Sequence, residues 1–166
     1  MMEKTLKIED ATESTVARYG DLLTRTGKEP AADNETFAFW NDVSVGRFDG
    51  AASFGMVYTK PGEMHVPMLE RHVRTTETLV PLDEDIVLVL AEPTAGDTPD
   101  LDTARAFRVV RGEGITLKQG TWHYIPMVPT GGDARTLVVF RQGTPAEDLE
   151  VRELADAFGT TIRVER

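Results

Sequence analysis

Apolar residues along this chain recur mostly at every second position or in short unbroken runs, with turn-forming residues between them. That pattern predicts short strands over residues 5–8, 43–48, 53–59, 64–70 and 77–82. The run Ile86–Ala91 (IVLVLA) is the strongest strand, β-branched and aliphatic enough for a core strand. A second series follows at 106–110, 114–118, 123–128 and 135–141, with Gly112, Gly114, Gly120, Gly131 and Gly132 marking turns. Helical spacing is confined to the start, where Asp10 opens a polar stretch and Val16, Tyr19 and Leu22/Leu23 form one stripe. Gly20 interrupts that stripe.

Residues 24–36 are polar and contain Gly27 and Pro30, so a loop is expected; residues 92–103, with Pro93, Gly96 and Pro99, read as an excursion outside the core. Phe37, Phe39 and Trp40 either close one end of the core or rim a small-molecule pocket. Thr144-Pro145-Ala146-Glu147 has the spacing of a helix-start capping box, yet Leu149 and Val151 alternate as in a strand. A turn and a strand are expected there, then a last strand over 161–164. Together these elements predict a mainly β fold: a closed or nearly closed antiparallel β-barrel with a short N-terminal helix, forming one domain over 1–166.

Composition narrows the function. With 18 basic and 28 acidic residues the formal charge is -10, which disfavours nucleic-acid binding but leaves room for small anions beside a local arginine. The absence of cysteine removes disulfides, thiol nucleophiles and thiolate metal sites. The first fifteen residues lack the apolar core of a signal peptide, and no run is long enough to cross a membrane. A soluble cytoplasmic protein is expected.

The candidate chemistry lies in residues 64–82 and 120–124, which hold all three histidines, His65, His72 and His123. On a strand, Glu70 and His72 share a side and Arg71 points away. Glu77 can return to that side after a turn, and His123 can arrive from a separate strand pair. Two imidazoles and one or two carboxylates suit Mn, Fe, Ni, Co or Zn. Without a metal, His72 or His123 could transfer a proton near neutral pH. The structural alternative leaves Glu70 and Glu77 on a solvated face and His72 hydrogen-bonded inside the barrel. His65, beside Met64, Val66 and Met68, reads as a structural or rim histidine. Trp122 reads as a core or subunit-contact plug, Arg71 as a strand anchor, and Arg141 as an anion ligand or a structural residue at a strand end. Tyr124 shares the face of Trp122 on an ideal strand, and needs a bulge to join His123.

Several ordered motifs carry a resemblance: Tyr19-Gly20-Asp21, Leu69-Glu70-Arg71-His72, Thr78-Leu79-Val80-Pro81-Leu82, Pro99-Asp100-Leu101, Ala106-Phe107, Gly120-Thr121-Trp122-His123, and Arg141 followed by Gly143. In this order they resemble the ureidoglycolate lyase family, whose fold is a cupin-type β-barrel. The resemblance implies a homodimeric enzyme of purine or allantoin catabolism that cleaves ureidoglycolate, a small acidic metabolite, to glyoxylate and urea. It implies proton-transfer or coordinating roles for His72 and His123; the metal-ligand candidates, from the residues themselves, remain Glu70, His72, Glu77 and His123. Asn41, Tyr58, Lys60, Tyr124 and Arg141 are the substrate-binding candidates. The chain departs from the family pattern where Tyr124 replaces a second histidine, where Tyr58 and Lys60 stand near an expected basic residue, and where Phe39-Trp40-Asn41-Asp42 alters an Asn-rich segment. Glu77 supplies a carboxylate where relatives can carry an amide. Another metal-dependent lyase, isomerase or hydrolase of a small oxygenated acid, or a non-catalytic binding cupin, fits the same residues.

Overall fold

In the computed structural model, which describes residues 1–25 and 27–166, strand β1 (Met2–Asp10) leads through a one-turn helix, α1 (Glu13–Val16), into β2 (Gly20–Leu23). Thr26, within the loop expected over 24–36, lies outside the described residues. A small hairpin, β3 (Ala32–Asp33) with β4 (Ala38–Phe39), precedes the long strand β5 (Ala52–Thr59). There follow β6 (His65–Val66), β7 (Met68–Arg71), β8 (Glu77–Pro81), β9 (Ile86–Ala91), β10 (Arg105–Val109), β11 (Gly114–Leu117), β12 (Trp122–His123) and β13 (Ala134–Arg141). The tail adds α2 (Thr144–Glu147), β14 (Glu150–Glu153), α3 (Leu154–Phe158) and β15 (Thr160–Glu165). No helix among the described residues is long and apolar enough to cross a membrane.

Two sheets carry the fold, one of eight strands in the order β14-β7-β12-β9-β10-β1-β15-β6 and one of five in the order β2-β11-β8-β13-β5. β6 ends the larger sheet and β7 lies next to its other end, although only Pro67 separates them in sequence. The sheet therefore curls until its two ends meet. Proline has no N–H to continue a ladder, and the Pro67 carbonyl instead accepts from Leu154 N at 2.8 Å. The expected mainly β, cupin-like barrel is borne out, with one refinement: β1 runs parallel to both β10 and β15.

The alternation along β9 divides the core. Val87, Val89 and Ala91 pack inside the curl with Leu6, Leu69, Trp122 and Ile162. Ile86, Leu88 and Leu90 face the smaller sheet and meet Leu79, Phe107, Ile115 and Val138. A strand buried on both faces has to be apolar at every position, which explains the unbroken run.

Several expectations need correction. No strand forms over 43–48; that segment is tied down by Thr76 N donating to the Arg47 carbonyl and Arg47 N to Thr76 Oγ1. The strand expected over 123–128 stops at His123; Tyr124 N still donates to the Val89 carbonyl at 3.2 Å, and after Pro126 a Met127–Val87 bridge follows. The N-terminal helix is a single turn, and Leu22 is buried from strand β2 instead. In the tail, the Pro145 turn is helical, and α3 lies where no helix was expected.

Candidate functional site

Glu70 on β7 is paired directly with His123 on β12, so the two side chains leave the sheet together. His72 stands one residue beyond the end of β7, and Glu77 opens β8. The four converge on the wall of a cavity of about 310 Å³ between the sheets. His72, Glu77 and His123 are buried there, and Glu70 is the least buried of the four. The expected sharing of one face by Glu70 and His72 holds, as does the return of Glu77 and the arrival of His123.

Backbone carbonyls orient both rings. His72 Nδ1 lies 2.6 Å from the Asp148 carbonyl and His123 Nδ1 lies 3.0 Å from that of Thr121. A carbonyl only accepts, so each Nδ1 carries a proton and each Nε2 is turned to the cavity. The rings stand 5.2 Å apart between centroids. Glu77 Oε2 lies 2.9 Å from His123 Nε2 and 3.4 Å from His72 Nε2, and Glu70 Oε1 lies 3.5 Å from His123 Nε2. Despite the short separation, neither Glu77 Oε2 nor His123 Nε2 makes an aligned hydrogen bond, and both atoms are buried. Their attraction is therefore chiefly that of opposite charges.

That attraction outweighs burial. Burial alone would push the Glu77 carboxyl up, but the two imidazoles bring it down to about 2. Burial would likewise lower His123, and Glu77 with Glu70 raises it to about 10. In the absence of other ligands the pair is a carboxylate and an imidazolium.

Arg71 points away, as expected, and locks the far side of the same strands. Its Nε donates to Glu150 Oε2 at 2.9 Å, its Nη1 donates to the Thr94 carbonyl at 2.9 Å, and its guanidinium lies 4.5 Å over the Trp122 ring. Trp122 is wholly buried, in agreement with its reading as a core plug.

Of the substrate-binding candidates, Tyr124 alone lines the cavity. It stands just past the end of β12, where its N–H donates to the Val89 carbonyl at 3.2 Å and its side chain also packs against the cluster that holds Trp122. Burial first, then Glu153 and Glu70, raise its phenol above the usual value, so it stays a neutral donor. Tyr58 lies outside the cavity, which β5 lines with Gly55, Met56 and Val57. Lys60 is exposed beyond the end of that strand, and Asn41 sits in an exposed loop, where its amide reaches Asp42 at 3.2 Å. Arg141 follows the cavity residue Phe140 but turns to Glu147 at 2.7 Å. His65 pairs on β6 with β15, away from the cavity.

Sequence reasoning missed Asp148. Its buried carboxylate accepts from Val73 N at 2.9 Å and Arg74 N at 2.8 Å, and its carbonyl orients His72. An isolated acid in an irregular tail gives no signal of that duty. Pro145 and Leu149, which complete the cavity wall, were legible only as a turn and a strand position.

Among known proteins, the family model described as ureidoglycolate lyase matches residues 3–161. A ureidoglycolate lyase of Burkholderia mallei (strain NCTC 10229) is 30% identical over 164 residues, spanning 95% of this chain and 94% of that one. One from Pseudomonas syringae pv. tomato is 28% identical over 147 residues, 85% of each chain. Among solved structures, oxalate decarboxylase from Bacillus subtilis superposes with a TM-score of 0.42 at 18% identity, over 54% of this chain and 21% of that one. On the full-length sequence match, the chain belongs to the ureidoglycolate lyase family.

Proposed function

We propose that this chain is a ureidoglycolate lyase, releasing glyoxylate and urea from ureidoglycolate at the cavity bounded by Glu70, His72, Glu77 and His123. The observation that carries the reading is the convergence of two Nε2 atoms on one buried carboxylate oxygen that has no aligned donor. The separations of 2.9, 3.4 and 3.5 Å suit ligands of a common ion. Donors about 2.1 Å from a metal lie roughly 3.0–3.4 Å apart at octahedral or tetrahedral angles. Glu70, His72 and His123 offer atoms within 4.8 Å of one another, and Glu77 lies between the rings. These four would hold a divalent Mn, Fe, Co, Ni or Zn ion. Bound there, such an ion supplies Lewis acidity that makes the substrate's carbinol hydroxyl easier to ionise.

The chain's own groups account for the proton movements. His72 and His123, fixed through Nδ1, set the position of the carbinol oxygen. Glu70, the most open carboxylate, takes the hydroxyl proton. The C–N electron pair passes to the ureido nitrogen as the C=O bond forms, and the Tyr124 phenol supplies that nitrogen's proton. Glu70 then returns a proton to Tyr124. A departing ureido anion is a far stronger base than a phenolate, so this direction is downhill.

Metal-stripped protein, assayed before and after separate addition of each metal, gives the test. Urea and glyoxylate should appear in equal amounts, and His123→Ala should reduce kcat/KM by about 100-fold or more. Failure to release either product with any metal would remove the assignment. A different lyase, isomerase or hydrolase of a small oxygenated acid is the second reading. It is favoured by the absence, among the described residues, of any lysine or arginine lining the cavity to meet the substrate carboxylate.

One domain, acting as a cytoplasmic homodimer, completes the proposal. β5 is the edge strand of the smaller sheet, paired among the described residues with β13 alone, and its Phe54 and Tyr58 are 73% and 67% exposed, apolar surface of the kind a second subunit covers. Sedimentation velocity would reveal a monomer if this is wrong.

A further inference from the structure

We propose that the cavity has an apolar outer subsite, and that the chain binds 2-hydroxy and 2-oxo acids carrying an alkyl or aryl tail more tightly than acids without one. The inference rests on the reading that the Glu/His cluster receives the acid's oxygens; it adds what the rest of the cavity selects. All charged groups of the cavity are gathered at one place, where His72, Glu77 and His123 are buried. The remaining wall is carbon: Leu79, Val138 and Phe140 on the inner side, and Met56, Ile125 and Leu149 towards solvent. Those last three are 43%, 46% and 43% exposed, large apolar groups grouped around one mouth. Apart from Tyr124, no neutral polar side chain among the described residues lines the cavity, so a polar tail such as the ureido group has that phenol as its partner and an apolar tail has the rest of the wall. The polarity gradient fixes the occupant's orientation, acid inward and tail outward.

A ligand that fills this wall displaces water from carbon surface on both sides. Each methylene that enters should tighten binding about fourfold, following the transfer free energy of a buried methylene. Glyoxylate and glycolate, which have no tail, are then the weakest members of the series.

The test is calorimetric titration of the metal-loaded protein with glycolate, lactate, 2-hydroxybutyrate, 2-hydroxyvalerate and 3-phenyllactate. A fall in Kd of about fourfold per added methylene, with a heat-capacity change that grows more negative along the series, is the expected result. A flat or rising Kd overturns the proposal, as does failure of every acid to bind. Leu149→Asn, at the exposed mouth, should shrink the Kd ratio between glycolate and 2-hydroxyvalerate; an unchanged ratio also counts against the subsite. Urea release from ureidoglycolate is measured on the same preparation. Turnover with a flat series removes the subsite and keeps the lyase, and a falling series without turnover does the reverse.

Discussion

Arg71 and Trp122 meet on the face of the sheet opposite the cavity, the guanidinium carbon 4.5 Å above the indole centroid. Arg71 lies between Glu70 and His72, and Trp122 precedes His123. A contact between the outward residues of two strands therefore sets the spacing of the inward ones. Thr94 closes the arrangement by accepting from Arg71 Nη1 at its carbonyl and from Trp122 Nε1 at its hydroxyl. Arg71→Met should lower stability by about 2–3 kcal/mol, since the Glu150 partner is only partly buried and keeps some hydration. It should also weaken metal binding by roughly tenfold, because the ligands' supporting contacts are lost. Urea denaturation and a metal titration check the two effects separately. Lost stability with unchanged metal affinity would show that the contact serves the fold alone.

Glu77→Gln isolates the charge that holds the His123 proton. With Glu77 ionised, His123 is raised to about 10 and should show no titration between pH 5 and 9 in metal-free protein. Removing that charge leaves burial, which lowers an imidazole, opposed only by Glu70. The His123 ring resonances should then titrate below about 10 by NMR, and an unchanged profile would show that Glu77 does not hold the proton. Metal affinity should fall by about tenfold or more as an anionic ligand becomes neutral.

The same shifts give the metal-free protein two stability limits. His123 is raised on folding, so its contribution is complete below its ordinary value of 6.5 and disappears as pH rises through about 10. Glu77 is lowered, so its contribution is complete above 4.5 and disappears as pH falls through about 2. Metal must displace the His123 proton, so between these limits metal affinity should rise by about tenfold per pH unit. Melting curves across pH 3–10 and isothermal titrations in buffers of different ionisation heat would measure both. A metal affinity independent of pH would mean that His123 is no ligand.

Much of the site was legible because strand periodicity constrains it. The two-residue repeat places Glu70 with His72 and turns Arg71 to the back, and the structure keeps that division. The run Ile86–Ala91 was legible as a core strand from its aliphatic residues, and the structure adds that both its faces are buried. Where the repeat stops, the sequence carries less. Tyr124 borders the cavity just past the end of β12, and no pattern of apolar residues records that ending. Tyr58 and Arg141 were candidates for their chemistry, but β5 alternation sends one outward and Glu147 claims the other. Asp148 acts through two backbone N–H groups and its own carbonyl, contacts set by tertiary folding alone.

Gly20 allows β2 to lie against β11. A Cβ there would stand 2.2 Å from the Thr116 carbonyl, which no rotamer change can relieve because both sides are backbone. The close approach lets β2 join β11 and bury Leu22. Gly20→Ala should therefore destabilise by about 2–3 kcal/mol through forced separation of these strands, despite alanine's better intrinsic propensity. Chemical denaturation would check the loss. A stabilised variant would show that β2 can move away without cost.

Asp148→Asn separates the two tasks of that residue. The substitution retains the main-chain carbonyl that meets His72 Nδ1 at 2.6 Å. It replaces one acceptor oxygen by an amide nitrogen facing either Val73 N or Arg74 N, so one of two short bonds to the turn becomes donor against donor. Stability should drop by about 1–3 kcal/mol, the range for a charge-assisted hydrogen bond. Because Val73 and Arg74 directly follow His72, the turn should loosen and the imidazole should lose its fixed distance from Glu77. The functional signature is a lower kcat for ureidoglycolate with metal stoichiometry retained at saturation, since His123 and Glu77 are oriented independently of this turn. Unchanged kcat beside reduced stability would limit Asp148 to holding the chain, with His72 positioned by its carbonyl and by the edge of Phe140.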